Sequence, residues 1–311
     1  MSDYKEVVGT AVLSYAGDVP NVLEGQLWYN STDLDFRYSE GPLINTWATV
    51  NSMNTGRQVM GSAGIATAAL GFGGTTNSVA TEIWNGTNWT EVNNLNDGRQ
   101  NLGGTGTTTS ALGFGGGTVN TEKWNGTNWT EVNNLNTSRA NMGSAGASNT
   151  AALAFGGRPP TVAITETWNG TNWTEVNDLN TARYNLGGTG TNTAALAFGG
   201  ELSSGNTGAT EIYNGTNWTE VNNFNTARQT MGSAGSTTSA LAFAGEVPGN
   251  TAKTELWNGT NWAEVNDMNT AQQNPGSAGA SNASALSFGG SAGGGETELW
   301  AETGGNKTIT S

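Results

Sequence analysis

Glu166-Thr167-Trp168-Asn169-Gly170-Thr171-Asn172-Trp173-Thr174-Glu175-Val176 reads as two short strands joined at an Asn-Gly turn, because Asn-Gly tolerates the positive φ values of tight hairpins. Alternation predicts Trp173 and Glu175 on one face of the last strand, with Thr174 and Val176 on the other. Further along, Ala194-Ala195-Leu196-Ala197-Phe198 is apolar and stopped by Gly199-Gly200, as a buried strand ended by a turn should be. Asn185-Leu186-Gly187-Gly188-Thr189-Gly190 is a poor helix. It suits an innermost strand, where strands converge on a ring axis and little side-chain volume fits.

These segments recur. Thr-Glu pairs begin at Thr81, Thr121, Thr165, Thr210, Thr254 and Thr297, with spacings of 40, 44, 45, 44 and 43 residues, the period of a propeller blade. A Trp column (Trp47, Trp89, Trp129, Trp173, Trp218, Trp262) and a Phe column (Phe72, Phe114, Phe155, Phe198, Phe243, Phe288) each have six members. The order Thr181-Ala182-Arg183, Gly199-Gly200, Glu211-Ile212-Tyr213-Asn214 and Trp218 resembles the kelch repeat, with Asn in place of the commoner Asp after the aromatic. The expected fold is therefore all-β: a six-bladed, kelch-like β-propeller of four-stranded antiparallel blades over residues 47–311, preceded by a short N-terminal arm over residues 1–46. The strand at residues 47–50 has no partners of its own, and the last repeat ends at Thr297-Glu298-Leu299-Trp300 without its final strand. One orphan strand matches one missing strand, so residues 47–50 are expected to complete the blade built from about residues 271–303. Lys307-Thr308-Ile309-Thr310 is the competing closure.

Composition narrows the chemistry. Lys plus Arg number 11 against 25 for Asp plus Glu, a net charge of −14, which argues against nucleic acid as a partner. The chain contains no Cys and no His. Thiolate chemistry, imidazole acid–base catalysis and the usual zinc and copper ligand sets are thereby excluded. No cofactor or metal is expected, and the chain is read as a binding or structural module, not an enzyme. No stretch approaches the roughly 18 apolar residues of a membrane span, and Met1–Glu6 lacks the basic start of a secretory signal.

Candidate site residues follow from the columns. Arg57, Arg99, Arg139, Arg183 and Arg228 recur, with Gln272 in sixth place; around a channel mouth, such a ring of guanidinium groups would hold an anion. The kelch resemblance implies instead that each Arg pairs with a repeated Glu or with neighbouring backbone carbonyls. Paired Glu columns (Glu82 with Glu91, Glu122 with Glu131, and so on) have the residue types for glycoside hydrolysis. Every pair has the same neighbours, however, so nothing separates an acid from a nucleophile. Sialidases resemble the chain in blade number but carry an Asp-box turn that is missing here. Galactose oxidase resembles it in its kelch propeller but needs His and Cys for copper. The Asn-Gly-Thr and Asn-Trp-Thr triplets match the N-glycosylation pattern, which a hairpin turn explains better, and Asp33 with Asp35 is an incomplete calcium loop. The connections at 75–80, 117–120, 158–164, 201–209, 246–253 and 291–296 vary most, and divergent loops on a repeated scaffold are where propellers individualise a binding face. Arg158 and Glu201 are the contact candidates there.

In the arm, Gly25-Gln26-Leu27-Trp28-Tyr29-Asn30 is similar to segments of bacteriophage tail-fibre and other virion proteins. That resemblance implies a virion component assembled in the host cytoplasm, attached to other virion proteins through the arm and facing a host surface glycan, a host protein or a neighbour. The other reading is a free bacterial carbohydrate- or protein-binding propeller, cytoplasmic or at the cell surface; a glycan-cleaving enzyme is the third. A plain hairpin, residues 26–29 against 34–38, also accounts for the segment. The closure is directly testable: deleting residues 1–50 is expected to lower the melting temperature sharply, and an unchanged melting temperature would refute it.

Overall fold

The computed structural model describes residues 13–16, 27–39, 44–292, 294–303 and 306–308. It divides into two compact units, Trp47–Ala301 and Met1–Thr46 with Glu302–Ser311. The first is the six-bladed propeller, with four antiparallel strands per blade and no helix among the described residues. Blade 1 runs from the axis outward as Gly61–Ile65, Ala68–Phe72, Thr81–Trp84 and Trp89–Val92. Blades 2 to 5 repeat this order, with inner strands Leu102–Thr107, Gly143–Ser148, Gly187–Gly190 and Gly232–Gly235. Blade 6 takes Gly276–Ser281, Ser284–Phe288 and Thr297–Thr303 from the end of the chain, and Ile44–Val50 from the beginning as its outer strand. The inner strands of blades 6 and 1 lie against each other, so the ring is closed.

The competing closure does not occur. Asn306–Thr308 pairs instead with Asp35–Ser39 in the second unit, Arg37 opposite Thr308 and Tyr38 opposite Lys307. Asn306–Thr308 thus shares a sheet with Leu27–Asn30 and Asp35–Ser39 and adds no strand to a blade. The expected hairpin forms one residue further along, Leu27–Asn30 against Asp35–Ser39. Asn30 Oδ1 accepts the Thr32 and Asp33 amides and fixes its turn. Arg37 bridges Asp33 and Asp35, which neutralises the incomplete calcium loop.

Each hydrophobic core of the ring is shared by two blades. Ala63, Leu70 and Phe72 of blade 1, for instance, form one cluster with Ala111, Trp124 and Trp129 of blade 2, and five equivalent clusters complete the circle. The outer-strand Trp crosses each of these interfaces. Its Nε1 donates to the buried Thr Oγ1 of the preceding blade at 3.0 to 3.2 Å, Trp89 to Thr297, Trp129 to Thr81 and so on round to Trp47 with Thr254. The same rings meet the preceding blade's Phe at 4.7 to 4.9 Å between centroids. A buried hydrogen bond contributes about 1 kcal/mol and an aromatic pair roughly 0.5–1.5 kcal/mol beyond area, repeated at six interfaces.

Glycine is required where the blade narrows. Phe72 lies opposite Gly61 across the first two strands, and a Cβ on Gly61 would collide with the Phe72 ring. At the end of the second strand, Gly73 and Gly74 have φ of 69° and 115°, and the Gly74 amide donates to the Arg99 carbonyl of the next crossing. Equivalent amides make the same bond in every blade, ending with Gly290 to Arg57.

A second circle lies nearer the axis. Val59, Asn101, Asn141, Asn185, Thr230 and Asn274 stand two residues after the Arg column, all with φ between 54° and 57°. Each donates its amide to the carbonyl of its predecessor: Asn101 to Val59, Asn141 to Asn101, Asn185 to Asn141, Thr230 to Asn185, Asn274 to Thr230 and Val59 back to Asn274, at 2.8 to 3.2 Å. The left-handed conformation costs an L-residue about 1–2 kcal/mol and suits Asn, while a β-branched residue is strained there. Val59→Asn is therefore expected to stabilise the ring by about 1 kcal/mol, read as a rise in melting temperature of roughly 2–4 °C; a fall would show that the carboxamide does not fit.

Candidate binding face

The structure relocates the Arg column. Arg57, Arg99, Arg139, Arg183 and Arg228 are buried at 4% exposure or less, inside the blades and away from the channel mouth where an anion ring was envisaged. Each guanidinium meets the third-strand Glu of its blade: Arg57 with Glu82, Arg99 with Glu122, Arg139 with Glu166, Arg183 with Glu211 and Arg228 with Glu255, at 2.5 to 3.2 Å. Further donors go to backbone carbonyls, as with Arg139 on Gly156, Ile164 and Ala154, while the Nε of Arg57, Arg99, Arg139 and Arg183 has no hydrogen-bond partner. Burial pulls the Arg139 pKa down, and Glu166, Asp178 and Glu175 oppose it; Arg183 and Arg228 behave alike.

The carboxylates have a second task. Glu166 accepts the backbone amides of Asn136 and Thr137, in the crossing that returns from the outer strand of one blade to the inner strand of the next. Glu82, Glu122 and Glu255 do the same for their crossings. Blade 6 separates the two roles. Glu298 keeps its pair of amides, Asn269 and Thr270, but Gln272 replaces the Arg and donates to Ser287, where other blades have Gly or Ala. The second Glu column stands opposite the first across the outer hairpin, Glu166 against Glu175 for example, but is exposed.

The variable connections and the crossings share one end of the ring and are hydrogen-bonded to each other. Arg158 exchanges backbone bonds with Ala140, and Glu201 with Tyr184. Glu201–Leu202 also pairs with Gly205–Asn206 in a small hairpin of its own. The two contact candidates converge on a residue that sequence reading passed over. The Arg158 guanidinium stacks on the Tyr184 ring at 4.4 Å, while desolvation, followed by Glu201, holds the Tyr184 hydroxyl above the usual tyrosine range. The signal was available in the sequence: Tyr184 follows Arg183, where the other repeats carry Gln or Ala.

Between the crossings lies the channel mouth, a cavity of about 120 Å³ rimmed by Asn101, Asn141, Asn185 and Asn274 over a collar that includes Leu102, Met142 and Leu186. Asn141 Nδ2 donates to Oδ1 of both Asn101 and Asn185, at 3.0 and 2.7 Å, and Asn185 Nδ2 donates to Gln229 Oε1 at 2.7 Å. Further along the axis, Ser, Gly, Ala and Thr of the inner strands line a second cavity of about 130 Å³. Among the described residues no group of three or more acidic side chains is placed to hold a metal, and no helix is long and apolar enough to cross a membrane.

The solved structure titled "Structure of YjhT" is similar to this chain with a TM-score of 0.67, covering 81% of this chain and 98% of that one at 13% identity. At that identity the likeness speaks for the propeller fold alone. The chain matches no protein-family profile and no curated sequence.

The buried pairs give a direct test. Arg139→Met leaves Glu166 charged and buried with only amide partners, and is expected to cost about 3–5 kcal/mol in urea-induced unfolding. Arg139→Met/Glu166→Gln should recover part of that loss; if the single variant unfolds like the wild type, the pair is not structural.

Proposed function

We propose that this chain is a non-catalytic binding and structural propeller of kelch type, carried by a bacteriophage particle as a tail-fibre, baseplate or surface-decoration protein. Residues 1–46 attach it to another virion protein, and the loop end of the ring faces the host surface or a neighbouring subunit. The observation that carries the reading is the mutual neutralisation of the Arg column and the third-strand Glu column inside the blades. Those charges stabilise crossings, and the chemistry that varies from blade to blade is concentrated in the connections at one end. A glycosidase singles out one pair of carboxyl groups, whereas here the same pair recurs in successive blades, and its buried member is committed to an Arg and to backbone amides, as Glu166 is. The likeness of Gly25–Asn30 to virion segments supports the setting, and the acidic balance fits a partner other than nucleic acid.

Antibodies against the chain are expected to decorate intact, salt-washed phage particles, with no product released from a panel of glycans. Recovery of the chain only from particle-free bacterial fractions would overturn the virion setting. Product release would overturn the non-catalytic reading.

A further inference from the structure

The mouth of the channel has a chemistry distinct from the rest of the ring. Asn101, Asn141, Asn185 and Gln229 form a string of carboxamides oriented by one another, and Thr230 Oγ1 approaches Gln273 Oε1 on the continuing arc. Within this string the amide hydrogens of Asn101 and Gln229 and the carbonyl oxygen of Asn141 have no side-chain partner. They present donors and acceptors in alternation without charge. The guanidinium groups that would select an anion are buried against Glu, and no carboxylate lines the mouth to select a cation. Beneath the amides the lining passes to Leu102, Met142 and Leu186, which belong to the inter-blade cores and leave a small apolar edge at the mouth. A concave site with a few convergent polar groups over apolar walls is the general form of a small-ligand site.

We propose that this mouth binds the terminal unit of a neutral glycan, the carboxamides pairing with vicinal hydroxyls while the C–H face of the sugar rests on the Leu102–Met142–Leu186 side of the collar. Hydroxyl groups both donate and accept, which matches a side chain that also does both. A site built to hydrogen-bond hydroxyls discriminates strongly against ligands that lack them, because its own polar groups would be left unpaired. Tyr184, adjacent to Asn185 and braced by Arg158, brings the variable loops of blades 3 and 4 up to this rim. Those loops would read the units that follow the terminal one. The proposal rests on the binding-propeller reading and supplies its ligand class.

The experiment uses the full-length chain on an array of neutral and anionic glycans, alongside Asn141→Gly and Asn141→Gly/Asn185→Gly. Glycine keeps the positive φ that the amide circle requires and removes only the carboxamides, and melting curves confirm that each variant folds. Retention of neutral glycans is expected, weakened about tenfold by the single change, as loss of a ligand hydrogen bond of about 1.5 kcal/mol implies, and further by the double. Binding confined to anionic glycans, neutral binding unchanged in the double variant, or no retention at all would each overturn the site. Decoration of phage particles is read separately, so loss of the glycan site leaves the virion setting standing, and glycan capture by a chain absent from particles does the reverse.

Discussion

The insertion of one indole from each outer strand into the preceding blade is the contact on which the rest of the ring depends. A single four-stranded blade cannot bury its own faces, because its inner strands are mostly Gly, Ser, Ala and Thr and its apolar residues pack against those of its neighbours. Trp129 shows how the interface is closed: its ring packs on Phe72 and its Nε1 is satisfied by Thr81. The indole thus contributes apolar area without leaving a buried donor unpaired, which would cost more than the bond contributes. Because the relation points one way, each blade receives a Trp from the next and gives its own to the one before. Only a closed circle satisfies every member, and Trp47 is the residue that completes it.

Polar circles lie inside this apolar one. The amides of the second Gly of each Phe-Gly-Gly turn, or of its counterpart Gly245 in blade 5, bond to the neighbouring crossing, and the left-handed residues two places after the Arg column bond to each other round the axis. The buried Glu holds the crossing that joins these circles to the outer strand. Such carboxylates carry a desolvation penalty that a cation offsets only with good geometry. Blade 6, with two amides and Gln272 in place of Arg, shows that the backbone donors are the constant part of the arrangement. The Arg is an addition present in the other five.

This division of labour bears on function. With the Arg column and its Glu partners engaged inside the blades and the outer hairpins nearly identical, distinct chemistry remains in the second-to-third-strand connections and at the carboxamide mouth between them. A scaffold whose stability is distributed over six equivalent interfaces tolerates changes in those loops, because no one loop supports a core.

Much of this was legible in the chain itself. The period of 40 to 45 residues, the alternation of apolar strands with Gly-Gly and Asn-Gly turns, and the orphan strand at Trp47 determined blade number, strand order and closure, since each is a matter of local geometry and of counting. The pairing of Arg with Glu was open as one of two alternatives. What only the tertiary structure decided was direction and depth. Whether a guanidinium points to the axis or into its own blade, that Arg158 and Glu201 from different blades meet at Tyr184, and that residues 306–308 turn to the arm, all depend on which segments the closed ring brings together. Spacing along a strand reports the period of a side chain but not its neighbour across an interface, and in a propeller the neighbour is supplied by another blade.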